Sequence, residues 1–174
     1  MRTRHTLAQT DLGELLLVAE RTDEGDALIG LYFPDHTHPP DPGAIGDRVD
    51  ETEDRLLAQA AREVREYLAG ERRAFEVPIT TRGDEFSERV WSILRRIPRG
   101  ETTTYGTIAA ELGSSALAQR VGQSVGRNPL CIVIPCHRVV GASGALTGYA
   151  GGLDRKRRLL ALEEPGAAEA GRLF

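Results

Sequence analysis

Two apolar runs of strand length, residues 13–19 and 27–33, flank the turn-forming segment Thr22-Asp23-Glu24-Gly25-Asp26. Runs of that length joined by a short polar turn pair with each other, so the chain opens with a β-hairpin. A loop rich in Pro, His, Asp and Gly follows from 34 to 47. Residues 54–68 then place Leu57, Ala60, Ala61, Val64 and Leu68 at helical spacing, with Gly70 as the stop. Phe75-Glu76-Val77-Pro78-Ile79 reads as one more short strand and Thr80-Thr81-Arg82-Gly83 as a linker.

Beyond the linker the pattern turns helical. Phe86, Val90, Trp91, Ile93 and Leu94 form one apolar face, ended by Ile97-Pro98-Arg99-Gly100, which makes Trp91 a core residue. Two more helices, 104–112 and 116–126, meet around Gly113-Ser114-Ser115, the short connection of a helix-turn-helix. Residues 132–134 read as a short buried strand, 141–144 as a turn and 153–162 as a last helix. The expected organisation is an N-terminal α/β domain over 1–79, a second domain over 80–166 and a flexible tail over 167–174.

Charge divides the same way. Residues 81–165 carry 12 Arg and Lys against 8 Asp and Glu, a net +4, which leaves −8 for the rest of a chain whose total is −4. A basic half beside an acidic one is compatible with phosphate contacts, although charge alone fits a solvated surface better. Of the 22 basic residues only Lys156 is lysine, a bias that we attribute to the nucleotide composition of the source genome. No apolar run is long enough for a membrane span and no signal-like stretch follows Met1, so a cytoplasmic protein is expected. The two cysteines, Cys131 and Cys136, fit neither a CxxC pair nor a zinc framework, and at least one is expected to be a working thiol. His5, His36 and His38 have no cysteine beside them; the two loop histidines read as solvated, and no metal is expected.

The informative segment is Ile134-Pro135-Cys136-His137-Arg138-Val139. A thiolate is the nucleophile, and an imidazole oriented by a carboxylate is the arrangement that makes one near neutral pH. Adjacent residues on a regular element do not face each other. For His137 to serve Cys136 the backbone must turn sharply or a water must bridge the two, and Pro135 helps by keeping its predecessor out of helix. Glu163, on the last helix, is a candidate orienting carboxylate. From the dipeptide alone, a buried cysteine beside a hydrogen-bonded histidine is the commoner arrangement.

The segment from Phe86 to Glu163 resembles the C-terminal domain of O6-alkylguanine-DNA alkyltransferases. The resemblance rests on Val90-Trp91, Ile97-Pro98, Gly100-Glu101-Thr102, Tyr105, Val121-Gly122, Asn128-Pro129, Ile134 through Val140, Gly148-Tyr149, Gly151-Gly152-Leu153, Lys156 and Glu163, in order and at family spacing. It implies a small ribonuclease-H-like α/β domain followed by a winged-helix domain that binds the minor groove of double-stranded DNA. It further implies an alkyl group moved once and irreversibly from O6 of a flipped-out guanine to Cys136, less surely from O4-alkylthymine, without a cofactor. His137 would act as base through a water, oriented by Glu163. Asn128 would brace the turn behind the recognition helix, and Tyr105 would donate to the departing guanine. Tyr149 would wall the base pocket, the Val139 carbonyl would accept from the guanine amine, and Arg138 and Ala150 would lie among the substrate and DNA contacts. The protein would be monomeric in solution, with cooperative assembly on DNA left open.

The recognition helix departs from the family pattern. Counting back from Asn128, the position of the family's arginine holds Gln119, and the next, usually alanine, holds Arg120. Either Arg120 takes over by a small rotation of the helix, or Gln119 substitutes more weakly; otherwise Arg120 is a surface residue. Two other functions compete. A non-catalytic sensor of alkylated DNA would lack the acceptor thiol, which Cys136 supplies. A cysteine hydrolase would need an oxyanion hole, of which the sequence carries no sign.

Overall fold

The computed structural model describes residues 2–165. They form two compact units: the chain through Thr81 together with Pro129–Val133, and Arg82–Asn128 together with the chain from Ile134 onward. The tail expected over 167–174 lies outside the described residues, as does residue 166.

The first unit is a four-stranded sheet in the order β3-β2-β1-β4, with one helix packed on it. Strands β1 (Arg2–Thr10), β2 (Gly13–Thr22) and β3 (Gly25–Tyr32) run antiparallel, and β4 (Asp47–Arg48) adds to β1 in parallel. The expected hairpin is β2–β3, turning at Gly25, whose φ of 126° suits a residue without Cβ. Helix α1 (Arg55–Leu68) buries Leu57, Ala60, Ala61 and Val64 and is capped by Asp54, whose carboxylate accepts from the Leu56 and Leu57 amides. Gly70, at φ 78°, follows its end.

Strand β1 escaped the hydropathy pattern because its buried positions include Arg4 and Thr6 beside Ala8. The Arg4 guanidinium bonds Asp54 and donates to Asp26 at 2.7 Å, so one buried cation ties β1 to the helix cap and to β3. Residues 75–79 are not a strand. Ile79 makes a single parallel bridge to Leu28, with Leu28 donating to the Pro78 carbonyl and Thr80 to Leu28; Pro78 has no amide with which to continue a ladder. His36 is not solvated as expected. Its ring is buried, edge-on to Tyr32 and stacked on Phe33, whereas His38 is exposed.

The second unit is built on helices α2 (Glu85–Arg95), α3 (Tyr105–Glu111) and α4 (Ala118–Gly126), with α4 packed against both others. Strands β5 (Thr103–Thr104) and β6 (Val139–Val140) pair in parallel, and α5 (Leu153–Glu163) closes the unit. Trp91 is core as expected: its indole N–H donates to the Ser124 carbonyl at 2.8 Å. Its ring lies so close to Gly83 that a Cβ there would stand 2.6 Å from it.

Asp54→Ala removes a helix cap and one partner of Arg4 together. The cap alone stabilises by about 1 kcal/mol, and the urea unfolding free energy is expected to fall by more than that. A loss indistinguishable from zero would show that the Arg4–Asp54 junction does not anchor the first unit.

Candidate active site

The segment expected to be a strand before Cys136 is instead two successive tight turns. Val133 donates to the Cys131 carbonyl across Ile132, whose φ of 72° is the only positive value at a non-glycine residue among the described residues. Cys136 donates to the Ile134 carbonyl across Pro135, at φ −79° and ψ 63°. These are γ-turns of opposite hand, and proline's fixed φ suits the second. Apolar content misled the strand assignment: Ile132 and Ile134 are buried, but burial comes with a contracted backbone. A β-branched residue at positive φ is strained, of order 1–3 kcal/mol, and persists only where its surroundings over-determine it.

The second γ-turn leads into a 3-10 turn, Cys136–Arg138, which supplies the sharp bend that a neighbouring cysteine and histidine require. Asn128, almost wholly buried, donates its side-chain N–H to the Ile134 carbonyl at 2.8 Å and so ties the end of α4 to the start of this turn.

Behind the turn lies a buried charge network. The Glu163 carboxylate accepts from His137 Nε2 at 2.9 Å, and from Arg138 through Nε at 2.9 Å and Nη2 at 2.7 Å. A carboxylate held by a two-pronged guanidinium can only accept, so Nε2 carries the ring proton and Nδ1 keeps its lone pair. Nδ1 is buried and makes no hydrogen bond among the described residues. Burial pushes the His137 pKa below the ordinary 6.5, outweighing the upward pull of Glu163. The imidazole is therefore neutral at neutral pH, with a basic nitrogen: the state required of a proton acceptor.

Arg138 corrects an expectation. The resemblance implies that it lies among the substrate and DNA contacts, yet its guanidinium is turned inward, onto Glu163 and the Ile97 carbonyl, because a buried Glu163 needs a compensating cation.

On the open side, Tyr105 donates its hydroxyl to the Thr147 carbonyl at 3.1 Å, and burial raises its pKa, so it remains a donor. Tyr149 is half-buried and Ala150 buried in the loop before α5. The Val139 carbonyl accepts from Lys156 Nζ at 2.6 Å. Sequence reasoning gave Lys156 no role; its standing as the sole lysine was the available signal. On α4, Gln119 and Arg120 are both exposed but point differently. Arg120 stacks its guanidinium 3.9 Å from the centre of the Phe86 ring, on the α2 side where Ser124, four residues on, meets Ser87. Gln119 lies three residues from Gly122, the position that faces the Tyr105 ring. Cys131 is fully buried, and the described residues contain no group of three His, Cys, Asp or Glu placed to hold a metal. No helix of the described residues is long and apolar enough to cross a membrane.

A depressed histidine pKa means that the folded state favours the neutral ring. Stability from this site is complete above 6.5 and is lost as pH falls through the folded value. NMR titration of His137 is expected to give a midpoint below 6.5, with unfolding free energy declining as pH falls from 6.5 through that midpoint; a midpoint above 6.5 would contradict the assignment.

Comparison with known proteins gives a consistent pattern. The family model for the 6-O-methylguanine DNA methyltransferase ribonuclease-like domain matches residues 3–81, and that for the DNA binding domain of the same family matches 85–165. A methylated-DNA–protein-cysteine methyltransferase of Mycobacterium bovis is 46% identical over 144 residues, which covers 82% of this chain and 80% of its own. The constitutive enzyme of that name from Bacillus subtilis is 40% identical over 147 residues, 84% of this chain and 86% of its own. The crystal structure of Mycobacterium tuberculosis OGT in complex with DNA superposes with a TM-score of 0.79 at 36% identity, covering 94% of this chain and 96% of that one.

Proposed function

The chain belongs to the 6-O-methylguanine DNA methyltransferase family, and from that premise we propose that it repairs DNA by moving an alkyl group from O6 of guanine onto Sγ of Cys136. The observation that carries this reading is the Glu163–His137 hydrogen bond, which leaves Nδ1 as the basic nitrogen beside the Cys136 turn.

The thiol proton passes to Nδ1 through a bridging water. Sγ attacks the alkyl carbon in line, the S–C bond forms as the O6–C bond breaks, and the electron pair leaves with the base. Tyr105 donates to the departing guanine, and the proton lost by the thiol ends on the base. O6 lies on the major-groove edge of the stacked base, away from a protein in the minor groove, so the nucleotide must be flipped out to reach the pocket, least expensively when it is damaged and badly paired. The thioether offers water no leaving group, so each molecule acts once.

In this reading the N-terminal 1–79 is the ribonuclease-like domain, and 80–166 carries both DNA binding and the acceptor. Helix α4 approaches the minor groove of double-stranded DNA. Tyr149 walls the base pocket, Ala150 supplies a backbone contact, and the Val139 carbonyl accepts from the guanine amine. Asn128 and Glu163 are positioning residues, and Arg138 acts only through Glu163. The protein acts as a monomer in the cytoplasm, where thiols stay reduced. Gln119, on the Tyr105 side of α4, fills the space of the flipped base, while Arg120 stays over Phe86.

Incubation with a duplex containing O6-methylguanine is expected to add one methyl group per molecule, mapped to Cys136 and absent in Cys136→Ala; intact mass and peptide mapping read it. Tight binding without a mass increase would replace this reading with that of a lesion sensor. Glu163→Gln keeps an acceptor for Nε2 but loses the charge, and should slow single-turnover transfer roughly 10²-fold. Gln119→Ala should weaken binding to the damaged duplex and Arg120→Ala should not, whereas Gln119→Arg should steepen the salt dependence of binding by about one phosphate contact. The reverse ranking of the two alanine variants would give the role to Arg120.

A further inference from the structure

The chain has four glutamines, and they divide by partner. Gln9 and Gln59 donate their side-chain amides to the carboxylates of Glu14 and Glu63. Gln119 and Gln123 lie four residues apart on α4, both exposed, and neither side-chain amide makes a hydrogen bond among the described residues. Residues at that spacing share a helix face.

Gly122 and Gly126 complete the face. A Cβ at Gly126 would meet nothing within 4 Å, and one at Gly122 would make only ordinary contact, at 3.8 Å, with the Tyr105 ring. Glycine weakens a helix relative to alanine, and internal packing does not demand it at either position. A smooth strip suits a backbone that something outside the chain approaches closely. None of these four residues is charged. Arg120 is turned aside, 3.9 Å from the centre of the Phe86 ring, while Val121, Ser124 and Val125 are buried on the opposite side of the helix. What α4 presents is therefore two neutral amides among glycines.

A neutral amide can read what a cation cannot. Every base pair shows an N3 or O2 acceptor in the minor groove, and only guanine adds a donor, its 2-amine. A guanidinium only donates, so it finds partners on any pair; a glutamine amide donates and accepts. Its NH2 is satisfied by any base pair. Its carbonyl is satisfied only by the guanine amine, and opposite A·T it loses water without gaining a partner.

We propose that Gln123 is a specificity-determining residue: its side-chain carbonyl accepts from the 2-amine of a guanine beside the lesion, so that alkyl transfer favours a G·C pair at one flanking position. The proposal rests on the reading of α4 as the element that enters the minor groove and of Gln119 as the residue that fills the space of the flipped base. Four residues of helix advance about 6 Å, and successive base pairs are about 3.4 Å apart, so Gln123 addresses a pair about two steps from the lesion, on the side toward which α4 runs.

A panel of duplexes tests this, each carrying one O6-methylguanine, with the first and second base pairs on either side set in turn to G·C or A·T. The single-turnover transfer rate at limiting protein should be roughly fivefold higher for G·C at one position on one side. Hypoxanthine in place of that guanine removes only the 2-amine and should bring the rate down to that of A·T. Gln123→Met keeps the bulk of the side chain without its hydrogen bonds, and should give one rate across the panel. A preference that survives in Gln123→Met would belong to the deformability of the duplex and would overturn the proposal. Equal rates for guanine and hypoxanthine, or a wild-type protein indifferent to the panel, would overturn it as well. If no duplex yields a methyl group to the protein, the assigned function fails. Binding of Cys136→Ala to the same panel then still decides the role of Gln123, with tighter binding to the G·C duplex expected and equal binding refuting it.

Discussion

The buried carboxylate of Glu163 is the constraint on which the second unit is organised. An ionised carboxylate out of water is tolerated only when it is paired and hydrogen-bonded. Glu163 meets that demand by taking both prongs of Arg138 and the Nε2–H of His137. Those two residues are consecutive and directly follow Cys136, so compensating the charge fixes the 3-10 turn and the histidine tautomer together. The cost of burying the carboxylate is offset by contacts that also define the base.

Tight backbone geometry makes the pairing reachable. Two γ-turns of opposite hand shorten the path from Cys131 to Cys136, and Asn128 bolts the end of α4 to the second of them. The first turn belongs with the hairpin unit: Leu31 donates to the Pro129 carbonyl and forms a bridge with Leu130. Strain at Ile132 is held in place by burial. The acceptor cysteine thus stands on a backbone with little freedom, as an in-line displacement demands.

Cations follow a division of labour. Arg4 and Arg138 are spent inside, each on carboxylates whose position it fixes, and Lys156 is spent on carbonyls. Arg120 remains at the surface, stacked on Phe86. The positive balance of residues 81–165 therefore overstates the charge available to a polyanion, because Arg138 and Lys156 face inward.

Much of this was legible in the residues themselves. The β2–β3 hairpin, α1 and its stop at Gly70 and the helices of the second unit follow from periodicity and turn chemistry, whereas the grouping of Cys136, His137 and Glu163 is what the family resemblance implies, spacing alone offering Glu163 only as a candidate. These features are local, or their identity is carried by residue type. What hydropathy could not convey was any place where burial and polarity part company. Strand β1 hides Arg4 because its partners, Asp26 and Asp54, are distant in sequence; residues 132–134 are apolar yet turned; and His36 is buried against rings. Likewise, the resemblance sets Arg138 among the DNA contacts and the sequence gives Lys156 no partner, until the fold brings a carboxylate to one and three carbonyls to the other. Residue chemistry alone determined which atoms can react. Which of them are aimed, and which merely hold the others still, was decided by tertiary contacts, because a buried polar group takes its role from the partner that satisfies it.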